Sequence, residues 1–220
     1  MISRYVLNTV SLFLITLLGL AWVIAAETPR IVSVKEIQQV TKTYGIFAGK
    51  RLEAWQTLVD ENINRPEETK LENVNNFFNE VRFISDIKHW KQKDYWATPI
   101  ELLATDGGDC EDYTIAKYFT LKALGVSQKK LYLTYVKAIR LNQAHMVLTY
   151  FKTPKSIPLV LDNINKKIFP ATRRKDLVPI YSFNGDGLWL AKERGKGKSV
   201  SGGTKKLTAW NNLLKRLQPL

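Results

Sequence analysis

Apolar residues recur at helical spacing twice in the first half of the chain. Leu52, Trp55, Leu58, Val59 and Ile63 mark one face over residues 50–63, and Leu71, Val74, Phe78, Val81, Ile84 and Ile87 continue the pattern over 67–89. Asn64-Arg65-Pro66 separates the two runs, and Pro66 suits the start of the second. The pattern predicts a helical hairpin that serves as scaffold. Residues 90–108 show no period, and Pro99 and Gly107-Gly108 interrupt them. A third helix is predicted over 109–124, with Ile115, Ala116, Phe119 and Leu124 as its buried face and Gly125 as its stop. Beyond Val126 the texture changes. Residues 131–139, 145–151 and 159–162 are rich in branched and aromatic side chains and read as strands, with shorter ones at 178–183 and 188–190. Helices first and strands second predict an α+β fold with a largely antiparallel sheet.

Two end segments stand apart from this body. Residues 1–26 carry Arg4, an apolar run over 12–25 and the small pair Ala25-Ala26, the pattern of a signal peptide or, if uncleaved, of an N-terminal anchor. Either way the body, residues 27–190, is expected outside the cytoplasm. Residues 191–220 are basic, and Gly, Ser and Lys dominate 192–206, which predicts a mobile tail with a short helix over 207–217.

Composition narrows the function. In 220 residues, 45% of them hydrophobic, there is enough for one packed domain. One Cys excludes an internal disulfide and a Cys-rich zinc site, and two His leave little for a His-based metal centre. The net charge of +13 divides into +1 over 1–26, +5 over 27–190 and +7 over 191–220. The body is therefore only mildly basic, and nowhere interleaves Lys and Arg with aromatics as a single-strand groove would. No nucleic-acid partner is expected, and membrane contact only through an uncleaved leader or the basic tail.

The chemistry gathers around the lone cysteine. Cys110 falls at the start of the third helix, where unpaired backbone N–H groups favour a thiolate and offer an oxyanion donor. Gly107-Gly108 would let a substrate backbone approach. A buried structural thiol is the alternative. A nucleophilic cysteine needs a base, and His145, in a strand, suits that role better than His89 at a helix end. Between Tyr113 and Leu190 the only acids are Asp162, Asp176 and Asp186. A hairpin symmetric about Thr153-Pro154 sets Asp162 directly across from His145, with Cβ atoms about 4.5–5.5 Å apart. A purely structural cross-strand pair would look the same. Asp109, Glu111 and Asp112 crowd the thiol and oppose its ionisation. They read either as helix caps or as ligands of a cation, with Asp106 as a possible fourth donor; all-oxygen ligands favour calcium over a transition metal.

The runs Asp94-Tyr95-Trp96-Ala97-Thr98-Pro99 and Gly107-Gly108-Asp109-Cys110-Glu111-Asp112-Tyr113 resemble the bacterial transglutaminase-like cysteine proteinases, as do His145-Met146-Val147-Leu148 and Leu159-Val160-Leu161-Asp162-Asn163 after them. The resemblance covers about residues 45–190, and points to the periplasmic, adhesin-processing members of that family. It implies a papain/transglutaminase-like core, a triad of Cys110, His145 and Asp162, and Ca2+ held by Asp109 and Glu111, with Asp112 as a third ligand. It further implies an endopeptidase that cuts the N-terminal region of a large surface adhesin near paired alanines, and so controls biofilm attachment. Its implied partner is the periplasmic domain of an inner-membrane cyclic-di-GMP receptor. Two rivals share the features read so far. One is an amide-transferring enzyme with the same thioester intermediate; the other is a non-catalytic envelope binding module.

Overall fold

The computed structural model describes residues 30–192 and 195–217. The leader reading over 1–26 lies outside these residues, and among the described residues no helix is long and apolar enough to cross a membrane. Three helices open the fold: α1 (Val34–Tyr44), α2 (Ile46–Asn62) and α3 (Glu67–Phe78). Short elements follow, namely β1 (Arg82–Phe83), α4 (Asp86–His89), α5 (Pro99–Thr105) and β2 (Gly107–Gly108), leading into α6 (Cys110–Ala123). The strands β3 (Leu131–Ala138), β4 (Gln143–Tyr150), β5 (Leu159–Leu161), β6 (Phe169–Pro170), β7 (Leu177–Asn184), β8 (Gly187–Lys192) and β9 (Gly195–Ser199) then form one sheet. Its order is β6-β5-β4-β3-β7-β8-β9, antiparallel throughout. Helix α7 (Thr208–Arg216) closes the described chain. The α+β architecture expected from the sequence is the one observed.

Helix α6 is the core element of the molecule. Ile115, Ala116, Tyr118 and Leu121 are buried in one cluster with Leu52 and Val59 of α2, Val74 and Phe78 of α3, and Leu133 and Leu148 of the sheet. Trp55 donates its indole N–H to Thr120 Oγ1 at 2.8 Å, so even the polar side of α6 is spoken for. Gly125, at φ 83°, ends the helix, with Val126 N–H bonded to Leu121 O at 3.0 Å.

Several sequence expectations need correction. The helix predicted over 67–89 stops at Phe78. Apolar spacing continues past it, but Arg82 and Phe83 turn into a two-residue parallel strand paired with Gly107 and Gly108. The glycines are buried there: a Cβ on Gly107 would lie 2.6 Å from Ile84 Cδ1, and one on Gly108 would lie 2.5 Å from Asp112 Oδ2. They make room for protein packing and not for a substrate backbone.

The tail expected to be mobile is largely packed. Strand β9 pairs with β8, and α7 buries Trp210 and Leu213. The Trp210 ring stacks on Phe119 at 5.8 Å and meets Phe183 edge-on at 5.3 Å. Arg216 reaches back to the loop before α5, donating to the Trp96 carbonyl and sitting 4.6 Å over the Tyr95 ring. A few large apolar residues thus outweigh a Gly/Ser/Lys-rich average.

Candidate active site

Cys110 is the first residue of α6 and is partly exposed. Asp109 caps the helix, and its N–H is bound by Asp112 Oδ2 at 3.0 Å. Thr114 Oγ1 donates to Cys110 O and Met146 O, at 2.9 and 3.2 Å, and so fastens the first turn of α6 to β4. These bonds set the Met146 end of β4 beside the turn that carries Cys110. The thiol is turned toward Glu111 Oε2 at 3.0 Å. Burial, then the Glu111 and Asp109 carboxyl groups, push it well above the ordinary thiol range, and only the Met146 N–H pulls the other way.

His145, next to Met146, lies almost wholly inside, and its Nε2 meets Asp162 Oδ1 at 2.8 Å. The expected pairing is observed, but through a different register. Leu148 faces Leu161 and Tyr150 faces Leu159, so the hairpin is shifted by two residues from symmetry about Thr153-Pro154. A two-residue shift preserves the face of every side chain, so Asp162, just beyond β5, still reaches His145 diagonally. Burial raises the Asp162 carboxyl. The His145 bond and charge, the Ile164 N–H at 3.0 Å and Arg174 overcome this and hold it far below the usual carboxylate range. An ionised Asp162 only accepts, so the proton of neutral His145 sits on Nε2 and Nδ1 is left as the base.

Behind this pair stand Arg174 and Lys117, which no sequence pattern singles out, with Asp176. Arg174 Nη2 donates to Asp162 Oδ2 at 2.7 Å, and Arg174 is itself held by Asp176 at 3.0 and 2.8 Å. The Asp162 backbone carbonyl accepts from Asn79 Nδ2 at 3.0 Å and Lys117 Nζ at 3.2 Å. Lys117 is buried, with Asn75 Oδ1 and Asn79 Oδ1 at 2.9 and 2.8 Å. Burial pushes it down to about 7 while Asp162 pulls it up.

On the other side of Cys110 the acids gather. Asp109 and Glu111 form one cluster with the thiol, and Asp112 another with Asp86 and Asp109. Asp86, Asp94 and Glu111 form a third. Asp86 is the addition here: it is buried at the start of the four-residue helix α4, where no apolar period flags it. Its Oδ2 accepts from Tyr95 N–H at 2.5 Å, whereas Oδ1 has no partner; Asp109 Oδ1 has none either. Asp112 spends both oxygens on backbone N–H groups, those of Ala97 at 2.7 Å and Asp109. Asp106 is not a fourth donor, since it pairs with Arg82 at 3.0 Å. Burial, then neighbouring Asp109 and Asp94, push Asp86 up to about 6, and burial with the adjoining Asp109 carboxyl pushes Glu111 up to about 10. Two orphaned, buried carboxylate oxygens amid mutually repelling acids fit a hard divalent cation held by oxygen. Carboxylate oxygens close enough to share one ion come from Asp86, Asp109 and Asp112, and again from Asp86, Asp94 and Glu111. Asp112 acts first as a capping and loop-binding residue. His89 stands apart, its Nε2 against Thr105 Oγ1 at 2.9 Å.

Comparison with known proteins gives two kinds of match. Residues 53–183 match the family described as bacterial transglutaminase-like cysteine proteinase. Among solved structures, calcium-bound LapG of Legionella pneumophila is 44% identical, covering 85% of this chain and 100% of its own, with a TM-score of 0.73. EGTA-treated LapG of the same organism is 43% identical, covering 86% and 100%, with a TM-score of 0.74. Among curated proteins none matches.

Proposed function

The chain belongs to the bacterial transglutaminase-like cysteine proteinases and is a cysteine protease, and from that premise we propose a calcium-dependent endopeptidase with Cys110, His145 and Asp162 as its triad. The observation that carries the reading is the buried His145–Asp162 pair, whose neighbour Met146 is fastened through Thr114 to the turn of α6 that begins with Cys110. His145 Nδ1 takes the thiol proton while Asp162 holds the Nε2–H tautomer and supports the imidazolium. The thiolate attacks the scissile carbonyl, whose developing oxyanion is met by the Cys110 backbone N–H at the helix start. His145 then gives its proton to the leaving amine, and water, deprotonated by the same imidazole, hydrolyses the thioester.

Calcium is supported by the orphaned oxygens of Asp86 and Asp109 and by the calcium-bound and EGTA-treated forms in which LapG is known. Asp86, Asp109 and Glu111 would hold it, and its positive charge would offset the acids that otherwise oppose the thiolate. The proposed substrate is the N-terminal region of a large surface adhesin, cut near paired alanines in the periplasm. The proposed regulator is the periplasmic domain of a cyclic-di-GMP receptor. Both rest on the sequence resemblance.

The test incubates adhesin N-terminal fragments with the protein, with and without calcium, and sequences any new N-terminus. Wild type with calcium is expected to cut at one site beside the paired alanines, and Cys110→Ala to retain the fold without cutting. Cutting by Cys110→Ala would overturn the triad; unchanged cutting in EGTA would overturn the calcium requirement.

A further inference from the structure

A buried histidine–carboxylate pair carries a net negative charge whenever the imidazole is neutral, and such a charge needs a partner. Among the described residues Asp162 finds one in Arg174, whose side chain is only 3% exposed. Arg174 follows a short helical turn over 171–173, and its own N–H bonds to Ala171 O at 3.0 Å. Its guanidinium spans two carboxylates: Nη2 donates to Asp162 Oδ2 at 2.7 Å and to Asp176 Oδ2 at 2.8 Å, and Nε donates to Asp176 Oδ1 at 3.0 Å. Asp176 in turn accepts the Ile139 N–H on its backbone carbonyl at 2.8 Å, at the end of β3 and beside the turn that leads to His145. The result is one continuous chain of contacts, Asp176–Arg174–Asp162–His145, in which each oxygen of Asp162 has a separate task. Oδ1 takes the imidazole and Oδ2 takes the guanidinium.

We propose that Arg174 is a positioning residue: by gripping Asp162 Oδ2 it keeps the carboxylate in the plane and orientation that hold the His145 proton on Nε2, and so keep Nδ1 aimed at Cys110. The inference rests on the triad reading above. Arginine suits the place because its planar fork bridges two acceptors in fixed geometry, whereas a lysine offers a point charge on a flexible stem. Without the grip, Oδ2 loses its partner and Asp162 is held only through Oδ1, by the ring and the Ile164 N–H, so the imidazole is less firmly fixed in its tautomer. A misplacement of about 1 Å at such a site costs on the order of 100-fold in turnover.

The cleft beside the residue makes the idea testable. A cavity of about 330 Å3 is lined by Asp162, Arg174 and Asp176 together with Arg140 and Ile164, so a small cation can reach the place a truncated side chain leaves. The experiment compares the calcium-loaded full chain with Arg174→Met, Arg174→Lys and Arg174→Ala, using the adhesin fragment as substrate. Arg174→Met is expected to lose on the order of 100-fold in kcat with KM within about twofold. Arg174→Lys is expected to fall between, and millimolar guanidinium to restore part of the Arg174→Ala activity. The chain has only two histidines, so nitrogen-15 spectra read the His145 tautomer directly, with His89 as an internal control for folding. The Nε2–H signal of His145 is expected to shift or broaden in Arg174→Met and to return with guanidinium in Arg174→Ala. If Arg174→Met keeps both kcat and the His145 signal, the inference is overturned. It is equally overturned if guanidinium and Arg174→Lys rescue nothing while His89 reports a native fold. Should Arg174→Met fail to fold, the lysine variant and the guanidinium rescue decide the matter alone. If instead His145→Ala cleaves normally, it is the triad that fails, an outcome distinct from any in the Arg174 series.

Discussion

Two groups of buried carboxylates flank one thiol, and they are settled in opposite ways. On the sheet side Asp162 has every oxygen engaged, by His145, Ile164 N–H and Arg174, and even its main-chain carbonyl is held by Asn79 and Lys117. On the loop side Asp86 and Asp109 each leave one oxygen without a partner, and the nearest charges are other acids. The first carboxyl is driven far below its usual range, while Asp86 and Glu111 are driven above theirs. The chain supplies its own cations where an orientation must never change. Where the charge has to come from outside, it leaves a socket. Burial alone does not decide the state of an acid; what completes its hydrogen bonds does.

The largest effect should come from breaking the completed side. Asp162→Asn keeps the shape but offers an N–H in place of an acceptor, so His145 is expected to adopt the wrong tautomer. Turnover should fall by on the order of 10³–10⁴ with the fold retained, read from single-turnover cleavage and circular dichroism. A fall of only a few-fold would mean that the pair is structural.

The open side should respond to calcium in stability as well as in activity. At a hundredfold excess over Kd a bound ion contributes about 2.7 kcal/mol, so EGTA should lower Tm measurably and added calcium should restore it. Asp86→Asn removes one orphaned charge, and it is expected to shrink the calcium-induced Tm shift while leaving the apo protein no less stable. An unchanged shift would take Asp86 out of the ligand set.

The last effect leaves cleavage aside and concerns Lys117, which lies beneath the completed side. Its folded value, about 7, lies below the ordinary lysine value of 10.5, so between those limits the folded chain binds fewer protons than the unfolded one. This group's contribution to stability therefore rises with pH from about 7 toward 10. Denaturant titrations across that window should show a smaller rise for Lys117→Met than for wild type, and equal slopes would remove the lysine from the account.

What can be read in the sequence follows the regularity of the segment that carries each residue. Cys110 was visible because a helix start is a local signal, and α6 begins where the Gly-Gly-Asp run ends. His145 and Asp162 were visible because alternation along a hairpin fixes the face even when the register is two residues off. Arg174 and Asp86 are not, since each sits in or beside a short, irregular segment with no period to place its side chain. The predicted helix over 67–89 runs past the observed one because Val81 and Ile84 keep its period, while the pairing of Arg82 with Gly107 beyond it leaves no local mark. The packed tail was hidden by averaging, because Trp210 and Leu213 are two residues among many that are small or charged.

Helix α7 carries a consequence in time. Its Arg216 is made after every other residue of the site, yet it clasps the Trp96 carbonyl and the Tyr95 ring, and the Tyr95 N–H is bound by Asp86. A growing chain therefore holds its thiol, its imidazole and its acids well before it holds the clasp on the loop beside them. The loop that presents the Tyr95 N–H to Asp86 gains its last contact only when that helical turn is made.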